Sequence, residues 1–284
     1  MSDIGLNVLA NILAALVVAI LGWVASIVLR LPSVYRQRRD LFEFLGISQD
    51  EHRFLVYLST LFVAPSGSAD FRGVRRSFKG PAIPAVELAV VQPVTQLFVS
   101  PFLQSLPASI RRWLGNKVHW TFQEILPEFS PSPPNRNEIE PTNMLTVGSR
   151  YYNAAGDLYA ETGDPFLKME QVSTAMVISV RKGPREGDVF QQRPNCNDDL
   201  AIVEKLFDEA HGTTVFIAAG LGVVGTLGAV QYLIDRWAQL HDEFDTEPFA
   251  VCLRFQDVAT DPSAYKKPVE LARFPLKGEG VRAG

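Results

Sequence analysis

The chain has 284 residues, with 27 Lys and Arg against 31 Asp and Glu, for a net charge of −4 at pH 7. That balance excludes a generally basic nucleic-acid binder and an acidic disordered tail, so no nucleic-acid duplex is expected as a partner. Hydrophobic residues make up 47% of the chain, enough for a sizeable core, and the two cysteines, Cys196 and Cys252, lie outside any CxxC or Cys/His cluster, so neither a disulfide framework nor a metal site is expected.

No charged residue occurs between Leu6 and Leu29. A helix of this length reaches about 36 Å at about 1.5 Å per residue, enough to cross a hydrocarbon core of about 30 Å. The run is too long for a signal peptide and has no basic residue before it. Arg30, Arg36, Arg38 and Arg39 follow it and only Asp3 precedes it. The positive-inside rule therefore expects the N-terminus outside and the C-terminal domain in the cytoplasm. These arginines are expected to touch anionic headgroups. Ala15, Ala19, Gly22 and Ser26 form a stripe of small residues. They suit either self-association of the helix into a homo-oligomer or ordinary membrane composition. The expected division is a transmembrane helix over 1–30, a basic juxtamembrane helix over 31–50 ending near Gly46, and a cytosolic domain over 51–284.

In the soluble part, residues 54–64 read as a buried strand. A basic loop over 71–80 carries Arg72, Arg75, Arg76 and Lys79, and either closes over an anionic ligand or faces solvent or membrane. A helix over 84–100 should kink or split at Pro93, and a second runs over 107–114. Residues 127–142 are Pro-, Ser- and Asn-rich and read as a loop. A strand, turn and helix follow over 143–163, then strands over 166–171 and 174–180 and a turn over 181–188. Asn197 or Asp198 should cap a helix ending near His211. A strand over 213–219, a glycine-rich turn over 220–226, a helix over 227–241 and a strand over 249–255 come next. The tail from Asp261 reads as irregular. Apolar strands joined by helices imply an α/β fold: an N-terminal transmembrane helix followed by a Rossmann-like, mostly parallel sheet whose ligand site lies at the carboxyl ends of the strands.

Two turns point to such a site. The first, AGLGVVGTLGA, contains G-x-G-x-x-G between a strand and a helix. Gly220 would allow the tight turn, Gly222 the approach of a phosphate, and Gly225 close packing of helix on strand, with Thr226 adding a hydroxyl. The acidic residue that a dinucleotide fold wants about 20 residues on is missing. Packing alone is the competing reading of these glycines. The second turn is TVGSRYYN. Gly148 and Ser149 offer backbone donors, Arg150 a charge for phosphate, Tyr151 or Tyr152 a ring for stacking, and Asn153 a helix cap or a base or ribose contact. A capped turn with exposed tyrosines is the alternative. Together the two turns favour a nucleotide or dinucleotide-like ligand.

Catalysis has less support. The four histidines are scattered, and no GxSxG, HExxH or P-loop sequence occurs. Glu87 is the best lone carboxylate. It reads either as an exposed helix charge or as the catalyst of a glycosidic-bond-cleaving enzyme acting on NAD or a nucleotide. A third alternative is a membrane-tethered interaction domain without a small ligand.

The anchor with its RQRR exit, the first strand FLVYLSTLFV, the GSRYYN turn and the AGLGVVGTLGA turn together resemble bacterial membrane-anchored effectors with a cytosolic Rossmann-like nucleotide-sensing domain. That resemblance implies a sensor role in antiviral or stress signalling, with oligomerisation on ligand binding.

Overall fold

The computed structural model describes residues 3–50, 53–60, 69–71, 74–76, 83–133, 135–193, 196–261 and 263–275. The chain divides into two compact units, residues 1–40 with 100–123 and residues 41–99 with 124–284. This division falls between Asp40 and Leu41, between the expected boundaries at 30 and 50, and places residues 100–123 with the N-terminal helix.

In the first unit, α1 (Asp3–Leu45) is long and apolar enough to cross a membrane, the one such helix among the described residues. Its apolar side chains, Leu16, Val18, Leu21 and Leu29 among them, are exposed. After α4 (Pro101–Gln104) and α5 (Ala108–Trp113) come a π turn (Leu114–Val118) and a 3-10 turn (Trp120–Phe122). Leu103, Leu106, Leu114 and Phe122 cluster against Ile27, Leu31, Val34 and Tyr35, which recur at helical spacing on one face of α1. Arg38 closes this packing. Its Nε donates to the Thr121 carbonyl at 2.6 Å and its Nη2 to the Gln123 carbonyl at 2.9 Å. The expected headgroup role therefore does not apply to Arg38, which is buried and spent on the end of the 3-10 turn.

In the second unit, the last turn of α1 buries Phe42, Phe44 and Leu45. The helix stops where the sequence predicts. Gly46, at φ +75°, donates to the Glu43 carbonyl and Ile47 to the Phe42 carbonyl, a Schellman ending. Leu41 and Ile47 are buried as well, while Glu43 is exposed. Asn143 fastens this stretch: its Nδ2 donates to the Gly46 carbonyl, and its Oδ1 accepts from the Thr214 N–H.

A seven-stranded sheet forms the centre of the unit. Its strands are β1 (Leu55–Leu58), β4 (Glu128–Pro131), β5 (Met144–Val147), β9 (Asp199–Asp208), β10 (Thr213–Gly220), β11 (Phe249–Phe255) and β12 (Val269–Phe274). Their order is β12-β11-β9-β10-β5-β1-β4. The run β4-β1-β5-β10 is parallel, and β9, β11 and β12 add antiparallel ladders. The sheet is thus mixed and largely parallel. A separate hairpin pairs β2 (Ala69–Phe71) with β3 (Val74–Arg76), and a second sheet joins β6 (Leu167–Val172), β7 (Ala175–Val180) and β8 (Val189–Gln191).

Side-chain alternation gives the main sheet two buried faces. Leu55, Tyr57, Met144, Val215 and Ile217 pack with α6 (Ala154–Thr162) and with Leu167, Met169 and Ile178 of the second sheet. On the other face Phe216 and Phe249 meet Phe44 at ring distances of 5.1 and 6.1 Å. The long α7 (Val223–Phe244) packs on β9, β10 and β11. The chain between β1 and β4 includes α2 (Ala85–Leu88) and α3 (Val91–Phe98), the expected helix divided just before Pro93.

Three expectations are corrected. The helix expected after Asn197 or Asp198 is β9, buried from Asp199 to Leu206 and paired on both sides. Glu204 and Lys205 inside it suggest an amphipathic helix, but both are buried. Glu204 accepts from the Phe166 N–H, and Lys205 Nζ donates to the Asp245 carbonyl. The tail expected to be irregular supplies β12, an edge strand closed on β11. The loop expected over 127–142 opens with β4, an edge strand where Pro131 needs no partner for a missing N–H. Of the strand expected over 54–64, β1 is the described part, and residues 61–64 lie outside the described residues.

Gly46→Ala should lower stability by about 2 kcal/mol or more. A Cβ at this φ costs about 1–2 kcal/mol, and here it would also stand 2.3 Å from Thr214 Oγ1. Thermal unfolding of the full chain in detergent, followed by circular dichroism, checks this; an unchanged midpoint contradicts the cap.

Candidate functional site

Both turns singled out in the sequence lie at the carboxyl ends of adjacent parallel strands, β5 and β10. The Gly148 N–H donates to the Ala218 carbonyl. They differ in what fills them.

At the first turn, Asn153 is the cap of α6. Its Oδ1 accepts from the Ala155 and Gly156 N–H groups, and its Nδ2 donates to the Tyr57 and Val147 carbonyls. All four contacts are made inside the protein, and they bind the helix start to the ends of β1 and β5. Arg150 is held by Asp157 (2.7 Å) and Glu161 (2.7 Å), which also pair with Arg136, so its charge is shared with α6. Tyr151 and Tyr152 are exposed, and Ser149 is half-buried with its Oγ facing the Tyr151 N–H at 3.4 Å.

Glu87 joins this turn from α2. It is buried, with 6% exposure, and is not the exposed helix charge that the sequence also allows. One carboxylate oxygen accepts from the backbone N–H of Ser59, the residue directly after β1. The Ser59 hydroxyl donates to the Val147 carbonyl at 3.0 Å. Gly148, at φ +97°, makes the approach of these groups geometrically feasible: a Cβ there would lie 2.0 Å from Ser59 Oγ and 2.6 Å from Glu87 Oε1. Glu87, Ser59 and Gly148 thus meet where β1 and β5 end. Burial raises the Glu87 pKa to about 7, against the lowering effect of its Ser59 contacts. A carboxyl titrating there can give or take a proton near neutral pH.

The glycine-rich turn is occupied by the protein itself. Asp199, 4% exposed at the start of β9, accepts from the Gly222 N–H at 2.9 Å, the Gly225 N–H at 2.7 Å and its neighbour Leu200 N–H at 2.9 Å. A helix N-terminus with free N–H groups attracts an anion, and here that anion is a side chain. Thr226 is also spent inside the turn. Its Oγ1 accepts from the Gly220 N–H and donates to the Gly222 carbonyl. Cβ atoms at Gly222 and Gly225 would collide with Asp199 and the Leu200 carbonyl, and one at Gly220 with the Thr226 backbone. The glycines therefore admit a carboxylate of the neighbouring strand β9, where the sequence allowed either a phosphate or packing alone.

No family model, no curated protein and no solved structure matches this chain. The reading of the site therefore rests on its geometry.

Two residues of the site are absent from the sequence expectations. Ser59 is legible only as the residue ending a short apolar strand. Asp199 opens an eight-residue run that reads equally well as a helix, which hid its approach to the glycines. Of the basic loop, Arg75 and Arg76 fall on β3, while Arg72 and Lys79 lie outside the described residues.

Two outcomes follow. Because the folded pKa of Glu87 lies above its ordinary 4.5, its contribution favours folding below about pH 4.5 and is lost as pH rises through about 7. Glu87→Gln should match the parent in stability near pH 4.5 and exceed it by up to about 3 kcal/mol above pH 7; parallel pH profiles contradict the burial. Asp199→Ala should cost about 2 kcal/mol by leaving N–H donors unpaired. Inorganic phosphate should then raise the melting temperature of the variant and not of the parent. A phosphate response in the parent contradicts self-occupancy.

Proposed function

We propose that this is a single-pass membrane protein, N-terminus outside, whose cytoplasmic α/β unit is Rossmann-like in its parallel half and binds a nucleotide-type ligand as a signalling sensor. The observation that carries the reading is the strand order. From β1 the chain goes to β4 on one side, then crosses to β5 and β10 on the other. Open α/β sheets bind ligands at the carboxyl edge where the order reverses in this way. That point lies between β1 and β5, beside Glu87, Ser59 and Gly148.

In this reading Glu87 is the polar anchor, Ser149 and the backbone after Gly148 offer donors, and Tyr151 or Tyr152 offers a ring for stacking. The glycine-rich turn serves as a wall of the site and not as its phosphate cradle, since Asp199 fills it. The resemblance to membrane-anchored effectors supports the sensor role by analogy.

A second reading is favoured by one observation. A buried carboxyl whose pKa is about 7 suits a general acid. Glu87 would then protonate the departing base of a nucleotide as its bond to the anomeric carbon breaks and water adds there. In NAD, whose nicotinamide leaves neutral without protonation, the ionised Glu87 would instead take the proton of the attacking water.

Native mass spectrometry of the full chain, released from detergent, is the first test, followed by thermal shift with mononucleotides, NAD and cyclic dinucleotides. A co-purifying nucleotide, or a shift lost in Gly148→Val, supports the binding reading. Consumption of that nucleotide by the parent and not by Glu87→Gln selects the enzyme. Silence in both measurements overturns both readings and leaves an interaction domain without a small ligand.

A further inference from the structure

We infer that residues 100–123 form a second membrane element, a collar that lies against the cytoplasmic headgroups around the base of α1 and recognises anionic lipid. The inference rests on the membrane-span reading above and adds to it a surface that the apolar run does not predict.

The first observation is depth. The collar packs on α1 at Ile27, Leu31, Val34 and Tyr35. The charge-free run ends at Leu29. At about 1.5 Å per residue, those contacts span from about 3 Å before that end to about 9 Å beyond it. The headgroup layer is about 5–8 Å thick on each side of the hydrocarbon core. A segment fixed to α1 at this level sits in that layer whenever α1 spans the bilayer.

The second observation is charge. Residues 100–123 contain Arg111, Arg112 and Lys117 and neither Asp nor Glu, in a chain whose net charge is −4. Arg112 and Lys117 are exposed.

The third observation is the apolar surface between them. Trp113 is 58% exposed and Val118 50% exposed, although Leu114 beside them is buried against α1. A tryptophan and a valine flanked by basic residues match the composition of an interfacial segment: rings at the headgroup level, charges toward lipid phosphates. The buried side of the segment supplies the packing, held by Arg38 through the Thr121 and Gln123 carbonyls. The outer side is left for the bilayer.

The test uses full-length chains with Cys196→Ser and Cys252→Ala, carrying a single fluorophore at Asn116→Cys in the collar or at Leu16→Cys in the span. Each is reconstituted in nanodiscs with or without phosphatidylserine, with nitroxide lipids labelled at the headgroup or deep in the acyl chain. The probe at 116 should be quenched by the headgroup label and the probe at 16 by the deep label. Each basic residue near an anionic surface is worth about a fivefold change in local partitioning. Arg112 and Lys117 together are therefore worth up to about 25-fold in local enrichment of anionic lipid, so headgroup quenching at 116 should fall when phosphatidylserine is omitted or when Arg112→Glu is combined with Lys117→Glu. Quenching at 16 without quenching at 116 overturns the collar and leaves the span standing. No deep quenching at 16 overturns the span reading and the collar with it. Quenching at 116 that ignores lipid charge and both reversals overturns anionic recognition.

Discussion

The Asp199 carboxylate at the start of α7 is the contact on which the second unit turns. A buried carboxylate is costly unless its lone pairs are satisfied. Here three backbone N–H groups do so, two of them at the positive end of a 22-residue helix. Burial raises the Asp199 pKa above the ordinary Asp value, and the three donors oppose that rise. The contact joins the beginning of β9 to the turn after β10, and so fixes the helix start against the antiparallel part of the sheet. It also removes the anion-binding capacity that the glycines would otherwise confer.

With that turn closed, the available chemistry moves to the next two strands of the sheet, β5 and β1. The carboxyl ends of β1 and β5 bring together a carboxyl group, a hydroxyl and a glycine without a clashing Cβ. Asn153 holds both strand ends to α6, so these groups are set by elements rather than by a free loop. The lone carboxylate of the sequence thus acquires a defined setting. Its burial, not its neighbours' charges, moves its titration toward neutral pH.

The first unit shows a similar exchange of roles. An arginine cluster after an apolar helix reads in the sequence as a headgroup contact. Arg38 instead points inward and satisfies two carbonyls where a 3-10 turn ends. An arginine can serve either purpose because its guanidinium offers several donors on a long stem. Which it does depends on what chain lies within reach, and here that chain is separated from it by more than 80 residues.

The long apolar helix, its stop at Gly46, the break before Pro93, the cap at Asn153 and the α/β class were all legible in the sequence. Each rests on local physics: side-chain hydrophobicity, a left-handed glycine, a missing N–H or a short side chain that reaches its own backbone. The nature of β9 was not legible, because an apolar run with Glu204 and Lys205 satisfies a helical period as well as a buried strand. Pairing with β10 and β11 decided it. The edge strands β4 and β12 were hidden for the same reason, since short polar or Pro-bearing segments become strands only when a neighbour offers its hydrogen bonds. The two turns were visible as turns, but their occupants were not. Asp199 reaches Gly222 across 23 residues and Glu87 reaches Ser59 across 28. Sequence spacing carries no information about such contacts until the strands are ordered, and only the tertiary structure supplied that order.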